Sequence, residues 1–471
     1  MNSDHFSATQ SVNDHLNLAL AEILDGITKL AELRADQQSA PDLSPMVPSY
    51  IGEIRFGTSS ANAMTITSAE AGLVGMGGND TLTGGAADDF LIGDYFDVRV
   101  IADNPGDIPY DASVIGNDLI YGGDGTDLIE GGIGNDGLFG GDGDDYFAMY
   151  EQDVGIDTFR GGAGWDQIDF YDGWDLGYTF VNLAALDLSA AASVEELLFG
   201  VELQGTAADN IFDLSGVQNY AISGMGDTFG FFDLLNGNDR FTGGIAAESV
   251  MGGNGNDTLI GGGGNDSLNG GAGDDSLVGG KGNDEYDVNI SRDAVQELAN
   301  QGTDIVRTTL SIYTLGANVE NLTSIGSAGF KGTGNTLKNT ITGNNFNDTL
   351  NGGLGNDTLN SFGGNDVFLF NTALGSSNVD TVTDFKPGFD LIHLENTGTG
   401  LFNKIRAGEL TEAAFKITTP QSAVDADDRI IYNAATGRLI YDADGSGSGV
   451  GITFAFLTPN LALTASDFLV I

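Results

Sequence analysis

Large apolar residues recur at a fixed interval of nine along most of the chain. Ile120, Ile129, Leu138 and Phe147 keep this step, as do Phe241, Val250, Leu259, Leu268, Leu277 and Tyr286, and again Ile341, Leu350, Leu359 and Phe368. Met64, Leu73, Leu82 and Leu91 hold the same interval where the residues between them are less regular. A period of nine suits neither a continuous amphipathic helix nor a long alternating strand. It suits a short strand followed by a tight turn.

The intervening residues complete a frame, Gly-Gly-x-Gly-x-Asp-x-U-x, in which U is the apolar position. Gly122–Glu130, Gly131–Phe139 and Gly140–Ala148 are tandem copies, with a degenerate one, Ser113–Tyr121, in frame before them. Further blocks run from Gly75 to Ile92, from Gly252 to Asp287 and from Gly343 to Leu369. Glycine at positions one, two and four is expected to supply turn conformations with φ > 0. The U side chain points inward and its two neighbours outward, by the two-residue alternation of a strand. Two units then make one 18-residue turn of a flattened coil, with strands stacked in parallel about 4.8 Å apart. The expected fold is all-β, a parallel β-roll in several blocks.

Composition changes the picture in two ways. The chain of 471 residues has 72 Gly and carries 68 acidic against 17 basic side chains, a formal charge of −51. Such a composition usually reads as disorder, and only the strict register of the repeat argues otherwise. The charge also excludes nucleic acid and anionic lipid as partners, since both need clustered Lys and Arg. The absence of cysteine excludes disulfides, thiolate metal sites and a Cys nucleophile. No apolar run is long enough for a membrane-spanning helix. Met1 to Gln10 has neither a basic n-region nor an apolar h-region, which does not fit a Sec signal peptide.

Stacking creates an electrostatic problem. Position-six carboxylates one coil apart fall on the same edge: Asp118 with Asp136, Asp127 with Asp145, Asp239 with Asp257, Asp257 with Asp275, Asp266 with Asp284, and Asp348 with Asp366. Two like charges ~5 Å apart repel by roughly 1 kcal/mol in water and ~3–4 kcal/mol at an effective dielectric of 20. A hard divalent cation between them reverses the sign. Ca²⁺ accepts six to eight oxygens in flexible geometry, and Gly-rich turns expose the carbonyls to complete its shell; Mg²⁺ insists on a tight octahedron and fits less well.

Gly-Gly-Asn-Gly-Asn-Asp-Thr-Leu-Ile and its tandem neighbours from Gly252 onward resemble the RTX nonapeptide repeat of secreted bacterial proteins. The resemblance implies a parallel β-roll whose Ca²⁺ ligands are the position-six Asp and turn carbonyls. Carried onto this chain, the metal ligands are Asp80, Asp89, Asp118, Asp127, Asp136, Asp145, Asp166, Asp257, Asp266, Asp275, Asp284, Asp348, Asp357 and Asp366. Asp157 and Asp239 take the position in weaker copies, and Glu248 takes it in another.

Between the blocks, residues 94–112 contain Pro105 and Pro109 and read as an inserted surface loop. The expected organisation is an N-terminal helix and Pro-containing linker (1–50), first rolls (51–169), a β-rich spacer (170–233), a central roll (234–287), a second spacer (288–333), a third roll (334–369) and a C-terminal domain (370–471). Ala192-Ser-Val-Glu-Glu-Leu197 parallels Ala317-Asn-Val-Glu-Asn-Leu322, so the spacers look like variants of one element that continues the coil without metal. Leu16, Leu20, Ile23, Ile27 and Leu30 predict an amphipathic helix over 13–36. Asp428–Asn433 and Arg438–Asp442 alternate around a turn ending at Gly437, a hairpin. Asp442-Ala-Asp-Gly resembles a calcium loop but lacks the closing Glu, and reads as a turn. Val382–Ile392 and the terminal Asp467-Phe-Leu-Val-Ile471 resemble the C-terminal secretion domain of serralysin-type proteases, which implies type I export through dedicated secretion machinery.

The protease chemistry of that family does not follow. The three histidines, His5, His15 and His393, form no His-Glu-x-x-His, and there is no Gly-x-Ser-x-Gly elbow. The sequence therefore describes a non-enzymatic calcium-binding protein, secreted or held at the cell surface, whose rolls fold on Ca²⁺ and which acts as a structural, surface-layer or adhesive protein. Self-association and a cell-surface polysaccharide are the partners it leaves open. The alternative is a secreted Ca²⁺-dependent, polysaccharide-acting enzyme using the aromatic cluster Trp165, Tyr171, Trp174 and Tyr178 with Asp175.

Overall fold

In the computed structural model the x-U-x triplets form the strands and the Gly- and Asp-rich segments form the turns between them. The structure describes residues 54–58, 60–66, 72–76, 79–85, 89–93, 116–132, 134–150, 157–171, 180–182, 185–187, 196–199, 202–204, 210–215, 217, 219–222, 229–397, 401–418, 425–445 and 451–471. The helix expected over 13–36 lies outside them. Among the described residues there is no α-helix, and the only helical turns are two short 3₁₀ segments, Glu412–Ala414 and Ala465–Asp467.

The chain divides into two compact units, the first ending at Gly230 and the second running from Phe231 with the small segment 207–209. In the first unit, successive strands alternate between two parallel sheets. Gly72–Met76, Phe90–Ile92, Leu128–Glu130, Tyr146–Tyr150 and Gln167–Tyr171 lie in one, and Thr81–Thr83, Leu119–Asp124, Gly137–Asp142 and Thr158–Ala163 in the other. Leu128 pairs with Tyr146 and Leu119 with Gly137, the 18-residue step of a two-repeat coil. Thr81 pairs directly with Leu119, so the expected insertion at 94–112 leaves the register intact.

The second unit begins the same way. Arg240–Thr242, Thr258–Gly263, Ser276–Lys281 and Ala294–Gln296 form one sheet, in which Thr258 pairs with Ser276 and Ser276 with Ala294. That sheet ends there, and another starts on Ile312–Thr314 and runs through Lys331–Thr333, Thr349–Asn351, Val367–Phe370 and Leu391–Leu394 to Phe468–Val470. The opposite sheet continues throughout, from Ala247–Met251 past Ile305–Thr308 and Asn321–Ser324 to Asp380–Val382. The segment 288–333 thus continues the coil as strands. The expected hairpin is present: Ile430–Asn433 and Arg438–Tyr441 pair antiparallel. The terminal strand Phe468–Val470 pairs in parallel with Leu391–Leu394, and Asp467 Oδ1 accepts the N–H of Gly388 at 2.7 Å.

Each unit has a core one side chain deep. Leu73, Leu82, Leu91, Ile120, Ile129 and Phe147 are fully buried in the first, and Phe241, Leu259, Leu268, Leu277, Tyr286, Val306, Leu322, Ile341, Leu350, Leu359 and Phe368 in the second. At about 1.5–3 kcal/mol for each large apolar side chain, these rows hold the sheets together. The glycines divide by role. Gly271 and Gly273, at positions two and four, have φ of +86° and +145°, where an L side chain is strained. Position-one glycines such as Gly252, Gly261, Gly270 and Gly279 do not adopt positive φ, which corrects the expectation that all three positions serve the turn.

Candidate metal centre

The reason for glycine at position one is the position-six carboxylate of the same repeat. A Cβ added to Gly122 would lie 2.2 Å from Asp127 Oδ2 and 2.5 Å from the carbonyl oxygen of Gly140, the position-one glycine of the next coil. The corresponding distances are 2.2 and 2.5 Å at Gly75 (Asp80 and Gly93), 2.1 and 2.6 Å at Gly140 (Asp145 and Gly161), and 2.1 and 2.8 Å at Gly261 (Asp266 and Gly279). A carboxylate oxygen and a carbonyl oxygen therefore converge beside each of these glycines, in space that any side chain would fill.

The other carboxylate oxygen builds a ladder. In the first unit the N–H of Asn62 donates to Asp80 Oδ1 at 2.6 Å, Asp80 to Asp118 at 2.7 Å, Asp118 to Asp136 at 2.7 Å and Asp136 to Asp157 at 2.8 Å. Along the opposite edge Asp89 donates to Asp127, Asp127 to Asp145 and Asp145 to Asp166. In the second unit the rungs run from Asp239 to Asp257 and Asp275, and from Glu248 to Asp266 and Asp284. Further along, Asp348 donates to Asp366, and the neutral Asn339 donates to Asp357. All sixteen aspartates expected from the sequence sit in this ladder, each no more than 6% exposed.

Burying so many carboxylates is costly unless each is paired. One oxygen of each has its backbone N–H. The Oδ2 atoms of Asp80, Asp118, Asp145, Asp266, Asp275, Asp284 and Asp357 are buried with no hydrogen-bond partner. Burial pushes the Asp118 carboxyl up to about 7 and those of Asp145 and Asp284 up to about 6, against the opposing effect of the backbone N–H; the next carboxylate on the ladder adds to the rise at Asp118 and Asp284. Orphaned oxygens, converging carbonyls and an excess of negative charge fit a hard divalent cation with oxygen ligands. Bound there, the cation would compensate the buried charge and join successive coils.

Some rungs escaped the sequence frame. Asp304 accepts the N–H of Asp284, Asp380 that of Asp357 and Asp390 that of Asp366, at steps of 20, 23 and 24 residues. Their signal was Asp-x-U with the glycine frame incomplete: Asp304-Ile-Val306 and Asp390-Leu-Ile392 keep only the position-four glycine, Gly302 and Gly388, which Asp380-Thr-Val382 lacks. His393, which belongs to no protease motif, lies on the strand Leu391–Leu394 with its pKa lowered by burial; of the aromatic cluster raised for the enzyme alternative, Trp165 is 42% exposed. Trp174, Asp175 and Tyr178 lie outside the described residues. Asp442 Oδ1 accepts the N–H groups of Asp444 and Gly445, closing the expected turn.

No curated protein matches the chain. The family model of the RTX calcium-binding nonapeptide repeat, in four copies, matches residues 73–94, 114–147, 234–259, 251–286 and 333–368. These segments carry the ladder and the converging oxygens in both units. They are RTX calcium-binding nonapeptide repeats, folded as a parallel β-roll.

Proposed function

We propose that this is a secreted calcium-binding protein whose rolls fold when they meet Ca²⁺ outside the cell, and which then acts as a structural, surface-layer or adhesive protein. The observation that carries this reading is the row of buried carboxylates with an unpartnered oxygen in coil after coil. In a low-calcium cytosol their charge, within a total of −51, holds the chain expanded, a state suited to passage through a type I transporter. Extracellular modules bind Ca²⁺ with Kd of order 10⁻⁴–10⁻³ M. At ten times Kd each independent site contributes roughly 1.4 kcal/mol, so about six supply ~8 kcal/mol, comparable to the stability of a whole domain. The C-terminal resemblance to serralysin-type secretion domains supports the type I route. Repeats and spacers that take up most of the chain, with neither a His-Glu-x-x-His nor a Gly-x-Ser-x-Gly motif in the sequence, support a non-enzymatic role.

The test is a Ca²⁺ titration of the full chain at neutral pH, followed by circular dichroism with sedimentation velocity on the same samples. Cooperative gain of β-signal near millimolar Ca²⁺ is expected. Large species appearing with it would identify further copies of the chain as the partner. Native-like β-structure in EGTA at low salt would overturn the proposal.

A further inference from the structure

At the end of the central roll the converging oxygens are arranged differently. A Cβ added to Gly279 would lie 2.2 Å from Asp284 Oδ2, but its other oxygen neighbour is the Tyr286 hydroxyl at 2.3 Å, where Gly122, Gly140, Gly252 and Gly261 have a glycine carbonyl. The next coil has lost the glycine frame. Ser276–Val278 pairs with Ala294–Gln296, so the residue following in register with Gly279 is Glu297. At Gly122, Gly243, Gly252 and Gly261 that place belongs to another position-one glycine. Here it brings a third carboxylate into the interior, only 8% exposed.

Asp284, Glu297 and Asp304 each offer a carboxylate oxygen, and these oxygens lie within 4.8 Å of one another. Two ligands of one Ca²⁺, each about 2.3–2.6 Å from the ion, are at most about 5 Å apart. Among the described residues this is the one set of three acidic groups so close together. Glu297 Oε1 accepts a hydrogen bond from the Tyr286 hydroxyl, which itself accepts the N–H of Gly279 at 2.7 Å. Glu297 Oε2 and Asp284 Oδ2 are buried and have no hydrogen-bond partner. The charged neighbours acting on Glu297 and Asp304 are Asp284, Glu297 and Glu320, all acidic.

We infer that Asp284, Glu297 and Asp304 form a calcium site of their own at the junction of the central roll with the segment that follows. Glu297 and Asp304 lie beyond the matched repeat, which ends at residue 286. The site replaces the glycine carbonyl that the missing repeat would have supplied. It holds the last strand of one sheet, Ala294–Gln296, against the coil at the point where that sheet stops.

The inference rests on the reading of the repeats as calcium sites, and its test separates the two. Calcium uptake by the full chain is measured by equilibrium dialysis and calorimetry for the wild type and for Glu297→Gln, which keeps shape and removes charge. The variant is expected to bind one ion fewer per chain. Equal stoichiometry and affinity would overturn the site while leaving the repeats intact; no uptake by the wild type would overturn both. Should the variant fail to fold, crystals of the wild type with Tb³⁺ decide. An anomalous peak within coordination distance of all three carboxylates supports the site, and its absence while the repeats hold ions refutes it.

Discussion

Gly270 provides a direct test of why position one is glycine. A Cβ there would lie 2.3 Å from Asp275 Oδ2 and 2.6 Å from both Cβ and Cγ of the same side chain, whereas such contacts are essentially never below 3.0 Å. In Gly270→Ala the carboxylate must therefore move by at least about 0.7 Å, the difference between 3.0 and 2.3 Å. Calcium–oxygen distances span only about 0.3 Å, so the oxygen is lost as a ligand. Losing one site at ten times Kd costs about 1.4 kcal/mol. Weakening the bond from Asp257 N–H to Asp275 Oδ1 costs about 1 kcal/mol more. The expected loss is roughly 2–3 kcal/mol in calcium, or about 5–10 °C in melting temperature for a unit of this size. Asp275→Ala should cost about as much by removing the same ligand and acceptor. The double variant has nothing left to clash with. It should match Asp275→Ala alone, with a coupling of about 2 kcal/mol in a double-mutant cycle read by thermal denaturation in calcium. Gly375→Ala is the control, because nothing lies within 4 Å of the added carbon and its φ is ordinary; it should be neutral or gain up to about 1 kcal/mol. Additive losses in the cycle would refute the steric reasoning.

Other outcomes follow from the same geometry. In calcium-free protein, burial raises the folded-state pKa of Asp118 to about 7 and of Asp145 and Asp284 to about 6, from 3.8. A raised pKa gives stability that is full below the unfolded value and lost as pH climbs through the folded one. The roll in EGTA should therefore be most ordered near pH 4 and lose β-signal between about pH 6 and 7, while in calcium the trend reverses because acid displaces the ion; a flat profile in EGTA would contradict this. Leu268→Ala, at a fully buried U position, should cost about 2–5 kcal/mol with calcium stoichiometry unchanged by calorimetry. Arg307 bridges Glu285 and Asp287 on the preceding strand, but its side chain is 38% exposed; Arg307→Ala should cost less than about 1 kcal/mol, and less still in high salt.

The repeat, the buried rows and the stacking of aspartates were legible because they are written at fixed covalent intervals. Leu259, Leu268 and Leu277 announce a strand each, and a period shared by apolar and acidic positions leaves few ways to pair them. The role of Gly270 was not legible, since its reason is the position of Asp275 Oδ2 in space rather than a backbone angle. Asp304, Asp380 and Asp390 were missed because the turns before them have other lengths, and a search tied to glycines loses them while Asp-x-U persists. Glu297 is legible only once the pairing of Ser276 with Ala294 shows which residue follows Gly279 in register.

The ladder has a direction. Every rung runs from the N–H of one coil to the carboxylate of the coil after it, so a roll is polar in the way a helix is, with unlike ends. One end offers acceptors, the other donors, and two copies could be joined through their ladders only head to tail. In the second unit one of the two ladders is stoppered at its donor end. Asp304 passes its N–H on to Glu320 Oε2 at 2.9 Å, one more rung, whereas on the opposite edge Asp390, which accepts from Asp366, turns its own N–H back to the Lys386 carbonyl at 3.0 Å. Extension of that ladder from copy to copy, the open-ended growth that makes fibres, is closed off from within the fold.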